Sequence, residues 1–98
     1  MNITKKLEEN TLTIALEGRL DTVTAPKLEG ELRTSVNGIS TLIFDLGALD
    51  YVSSAGLRVL LSAQKVMNKQ GNMIIRNVKP EILEIFEVTG FVDILNIE

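Results

Sequence analysis

Two adjacent serines, Ser53 and Ser54, stand at the head of a helical pattern in a chain with no histidine and no cysteine. A hydroxyl at such a boundary commonly caps the helix, accepting a hydrogen bond from an N–H two or three residues on. It can also serve as a nucleophile, but only with a base beside it. The commonest base is absent, and neither a Gly-x-Ser-x-Gly elbow nor a Ser-x-x-Lys pattern surrounds Ser54. An enzyme built on Ser54 is therefore a poor reading, and none is expected. Asp21 and Asp45 fall at predicted strand ends, on the side where helices begin, and would border the Ser54 loop. As a metal or acid–base pair they lack further ligands or a base, so no metal site is expected. Hydrogen bonds that order their own loops are the ordinary role of such residues. Disulfides and thiol chemistry are excluded, and a zinc site would have to be all-carboxylate. No Gly-x-x-x-x-Gly-Lys-Ser/Thr cradle is present, so neither a nucleotide site nor a cofactor is expected.

The elements that must hold these residues follow from periodicity. Asn2 to Glu8 reads as a short strand, Glu9-Asn10 as a tight turn, and Thr11 to Glu17 as a second strand in an antiparallel hairpin. Gly18 to Asp21 reads as a loop. Thr24 is a helix N-cap with Pro26 in the first turn; Leu28, Leu32 and Val36 mark one face, and Asn37-Gly38 a stop. Thr41 to Leu46 reads as a strand buried on both faces, as in a parallel sheet, followed by a loop from Gly47 to Ser53. A helix then runs from Ser54 to Gln70, with Leu57, Leu60, Leu61, Gln64 and Met67 inward and Gly71 ending it. Its Lys65 and Lys69 read as a solvated outer face. A strand from Asn72 to Val78, a helix opened by Pro80 and stopped by Gly90, and a final segment from Phe91 to Ile97, with an edge strand as one option, complete the order.

Strand starts near Leu12, Leu42 and Met73 recur at one βα unit each. Right-handed crossovers in one direction put every helix on one face. The expectation is an α/β fold spanning residues 1–98 as one domain: a mixed, mainly parallel sheet with an N-terminal antiparallel hairpin and helices packed on one face. Its 98 residues suit one domain. With aromatics at 4%, the core must be aliphatic around Phe44, Phe86 and Phe91. The net charge of −3 comes with no basic stripe interleaved with aromatics, so nucleic acid is not an expected partner. No apolar run approaches the roughly 18 residues of a membrane span and no signal-peptide core is seen, so a membrane is not expected either and the default location is cytoplasmic.

The stretch from Asp45 to Leu61, with Ser53-Ser54-Ala55-Gly56-Leu57-Arg58 at its centre, resembles the signature of the STAS domain shared by bacterial anti-sigma factor antagonists. Gly18-Arg19-Leu20-Asp21 and Val88-Thr89-Gly90-Phe91 match in the same order, and the resemblance covers essentially the whole chain. It implies a module that binds an anti-sigma factor which is also a serine kinase. That kinase, holding the ATP itself, would phosphorylate Ser54; the modified antagonist would let go, and a metal-dependent serine phosphatase would restore it. Ser53 stands where well-known members have Asp, and the resemblance makes it the minor alternative acceptor. The resemblance also places Asp21 and Asp45 near the acceptor and makes Ala55, Gly56, Leu57 and Arg58 part of the partner-binding loop and helix start. Arg58, one turn on, would fold back on the phosphate, grip the partner, or be solvated. The competing function is a constitutive STAS interaction subunit of a transporter or signalling scaffold, with Ser54 only a cap.

Overall fold

In the computed structural model, which describes residues 1–98, the hydrophobic periods resolve into four strands and three helices. The order is β1 (Asn2–Glu8), β2 (Thr11–Leu20), α1 (Ala25–Ser35), β3 (Thr41–Val52), α2 (Ser54–Gln70), β4 (Asn72–Arg76) and α3 (Pro80–Val88), with a 3₁₀ turn at Phe91–Asp93. The sheet order is β1-β2-β3-β4. The β1/β2 pair is an antiparallel hairpin; β2, β3 and β4 run parallel. Leu12, Leu42 and Met73 lie side by side in register, so the βα repeat expected from the sequence is the repeat of the sheet.

Alternation along each strand decides which face is covered. Leu12, Ile14 and Leu16 of β2, Leu42, Phe44 and Leu46 of β3, and Met73 and Ile75 of β4 are buried in one cluster with Leu28, Leu32, Leu57, Leu60, Met67, Ile82 and Phe86 of the helices. All three helices therefore cover the same face. Thr4 and Lys6 of β1 pair with Ala15 and Thr13 on the uncovered face, which carries mostly polar or small side chains.

Both strands leading to the site run further than expected. Gly18 to Leu20 continues β2, and Gly47 to Val52 continues β3; neither stretch is a loop. Register shifts between Ala15 and Glu17 and between Gly18 and Arg19 absorb extra residues while pairing resumes at Arg19–Tyr51 and Leu20–Val52. Gly18, with φ at 100°, sits in this irregular stretch, where a bulge suits glycine. At the other end, β4 stops at Arg76, short of Val78. The last segment is a 3₁₀ turn followed by a single parallel bridge from Ile97 to Ile75, not an edge strand.

α2 has the bounds its pattern predicts. Gly71 stands at its C-terminal end, where the backbone leaves the helix and a Cβ would overlap the Ser40 carbonyl. Of its expected inner stripe, Leu61 is only half-buried, and Val59 and Ala63 join the core instead. Gln64 is buried with its Oε1 unpartnered, its Nε2 donating to Asn68 Oδ1 at 2.8 Å.

Candidate functional site

The C-terminal ends of β2 and β3 bring the singled-out residues together. Leu20 pairs with Val52, and the Ser53 N–H donates to the Leu20 carbonyl at 2.9 Å. Asp21 thereby lies beside Ser53. Its Oδ1 accepts from the N–H groups of Val23 at 3.0 Å and Thr24 at 3.1 Å. The Thr24 N–H is the main reason its carboxyl is held below the ordinary carboxylate range. The Val23 N–H, the Thr24 hydroxyl and the Arg19 charge act the same way, against a desolvation effect. Arg19 Nε lies 3.7 Å from Asp21 Oδ2.

Thr24 precedes α1 as expected, but its hydroxyl does not cap it. It donates to the Arg19 carbonyl and accepts from the Asp21 N–H, each at 2.8 Å. The loop between β2 and α1 is thus tied to itself and to the end of β2.

At the head of α2 the two serines divide their roles. Ser53 is the cap: its backbone is extended and its Oγ accepts from the Gly56 N–H at 3.4 Å, a long bond. Ser54 is the first helical residue and is exposed. Ala55 is half-buried, and Gly56 and Leu57 are buried. Gly56 seats the helix on the strand ends, since a Cβ there would stand 2.7 Å from Leu20 Cγ and 2.9 Å from Val52 Cγ2. Arg58 is exposed, and none of the six ion pairs involves it.

Asp45 is not at a strand end. It lies within β3, where its Oδ1 accepts from the Gly47 N–H at 3.0 Å and Asn77 Nδ2 at 3.1 Å. Six residues of strand, Leu46 to Tyr51, separate it from Val52, about 23 Å of extended chain. Its hydrogen bonds order the irregular part of β3 and the start of the β4–α3 connection, away from the Ser54 loop.

Sequence reading missed three neighbours of this site. The Arg19 guanidinium stacks over the Tyr51 ring at 4.3 Å, a contact between residues opposed only through the β2/β3 register. Val23 is 84% exposed on the loop that Asp21 fixes, and a lone apolar residue in a loop carries no periodic signal. The arrangement leaves Ser54 exposed at the first residue of α2, beside a β2–α1 turn tied by the Asp21 carboxylate and joined to the end of β3 by the Ser53–Leu20 bond.

The STAS domain family model matches residues 2–98. The chain is 40% identical over 96 residues to BtrV of Bordetella bronchiseptica, covering 96% of this chain and 83% of that one. It is 29% identical over 98 residues to the anti-sigma-B factor antagonist of Bacillus subtilis, covering 99% and 90%. The fold superposes on the anti-sigma factor antagonist SpoIIAA in its unphosphorylated form with a TM-score of 0.78 at 18% identity, over 99% of this chain and 87% of that one. No helix is long and apolar enough to cross a membrane.

Proposed function

This chain belongs to the STAS domain family, and on that premise we propose that it is an anti-sigma factor antagonist whose hold on an anti-sigma factor is released by phosphorylation of Ser54. The observation that carries the reading is the exposed Ser54 hydroxyl at the first residue of α2, with capping left to Ser53. The anti-sigma factor is also the serine kinase. The Ser54 Oγ attacks the γ-phosphorus of kinase-bound ATP; the O–P bond forms as the bond to the β,γ-bridging oxygen breaks, ADP leaves, and the hydroxyl proton passes to a base of the kinase. A metal-dependent serine phosphatase reverses the change by adding water across the ester, returning the serine and inorganic phosphate.

Magnitudes favour a switch that acts at the interface. A phosphate adds about −1.5 to −2 charge. At a helix N-terminus the free N–H groups and the macrodipole favour an anion by about 0.3–1 kcal/mol, so the domain tolerates it. A mismatched charge buried in an interface costs several kcal/mol, and every ~1.4 kcal/mol is tenfold in affinity. Asp21, Ser53, Ala55, Gly56, Leu57 and Arg58 surround or support the acceptor in this reading. Asp45 has no part in it beyond ordering β3.

The test is binding of Ser54→Ala and Ser54→Asp to the purified anti-sigma factor, with mass spectrometry of the chain after incubation with that factor and ATP. Strong binding with Ala, binding at least about tenfold weaker with Asp, and a single phosphate on Ser54 are expected. Equal binding of both variants points instead to a constitutive scaffold, and a phosphate found on Ser53 alone moves the acceptor by one residue.

A further inference from the structure

Of the ten Lys and Arg residues, six are held in ion pairs. The other four are Lys27, Arg58, Lys65 and Lys69, so three of them lie on α2. In a chain with 13 acidic residues, the 17 residues of α2 include no Asp or Glu. α1 shows the usual alternative, with Arg33 paired to Glu29 one turn away at 3.2 Å. On α2, Lys65 and Lys69 instead repel each other at i,i+4 with no carboxylate on that helix to offset them.

These cations form a line. At 100° per residue, Lys65 and Lys69 fall within about 20° of the direction of Arg58, and the stripe runs about 16 Å down the helix. All three are exposed. Beside them a groove of about 430 Å³ separates α2 from α1, with Ala25, Ala55 and Val59 in its lining and, among its polar groups, Arg58, Lys65 and Glu29, whose carboxylate is already paired with Arg33. Past Ser62 it continues into a smaller recess of about 190 Å³ between Leu32, Val36, Ala63 and Val66, the last 41% exposed. The groove opens at Ala55, next to Ser54.

We propose that this stripe and groove dock an acidic, partly apolar surface of the anti-sigma factor, carboxylates lying along Arg58, Lys65 and Lys69 and apolar side chains entering between α1 and α2. The inference rests on the function proposed above and names the chemistry of its partner. Charge complementarity selects the occupant: an unneutralised positive line on an otherwise acidic protein attracts an acidic protein surface and steers its approach. The same geometry gives phosphorylation a second effect. A phosphate on Ser54 sits one turn before Arg58, at the head of the stripe, where it neutralises that guanidinium and repels the partner's carboxylates.

The experiment titrates the full chain against the purified anti-sigma factor at low and high ionic strength. Lys65→Glu/Lys69→Glu reverses the far part of the stripe, remote from Ser54. Lys6→Glu/Arg76→Glu changes net charge equally but elsewhere, and Lys65→Arg/Lys69→Arg keeps the charge; circular dichroism verifies that each variant is folded. Expected are a loss of about tenfold or more with the first pair, carried mainly by slower association, near-parental binding with the other two, and parental affinity that falls as salt rises. Binding within about twofold of the parent for Lys65→Glu/Lys69→Glu, or an equal loss from Lys6→Glu/Arg76→Glu, overturns the proposal. Ser54→Ala and Ser54→Asp in the same titration judge the switch separately: if they bind alike, the switch falls and the stripe still stands or falls by its own variants.

Discussion

At the residue scale the site depends on small polar side chains that each do one local job. Asp21 accepts from two backbone N–H groups, which fixes the turn that carries Val23. That bonding favours the ionised carboxylate, with the Thr24 N–H as the largest cause. A depressed folded-state pKa contributes stability that is complete above the unfolded value, about 4, and is lost as pH falls through the folded value. Asp21→Ala should therefore be less stable than the parent at neutral pH, with the gap narrowing as pH drops below about 4. Asn keeps an acceptor oxygen but no charge, so Asp21→Asn should lose less and show little pH dependence at this site. Urea midpoints of the three proteins at neutral and acid pH measure both effects. A gap between parent and Asp21→Ala that is constant across that range would contradict the assignment.

At the element scale, the position of Ser54 is set by how α2 sits on the sheet. Gly56 lets the helix reach the strand ends, against Leu20 and Val52, which are 0% and 2% exposed. Gly56→Ala gains helix propensity of up to about 1 kcal/mol but overpacks this contact, which costs about 1–3 kcal/mol. Packing should win, lowering stability overall. Gly30 of α1 has nothing within 4 Å of its Cβ position, so Gly30→Ala should gain about 0.5–1 kcal/mol. Opposite signs in chemical denaturation are the expected result, and equal signs would show that the contact at Gly56 is not tight. The helices were legible because caps, glycines and a 3.6-residue period agree on their limits. The extents of β2 and β3 were not, because Gly18 and Gly47 look like breakers while the register shifts keep both strands paired past them. That error put Asp45 at a strand end. The helix start at Ser54 was legible through its local motif. Its neighbours Arg19 and Tyr51 were not, since only cross-strand register makes them meet.

At the scale of the whole molecule, the proposed switch leaves the fold unchanged. The core is one cluster of 23 buried residues beneath the sheet's covered face, and Ser54 is outside it. The radius of gyration is 12.1 Å, so the far strand ends lie well beyond the ~8 Å Debye length at physiological ionic strength. The charge is felt at one end of the domain, and the backbone that carries it is already held by the Leu20–Ser53 bond and the turn at Asp21. Phosphorylated and unmodified chains should therefore give superimposable amide spectra except at residues 19–25 and 51–58. Backbone chemical shifts of the two forms, with hydrogen exchange of the β3 amides as a second reading, test this. Strong shifts along β1 or β4, or loss of protection in β3, would mean that the phosphate reshapes the core and that release works by refolding. With both regions unchanged, the difference in affinity has to arise from the charge and bulk presented at the contact surface.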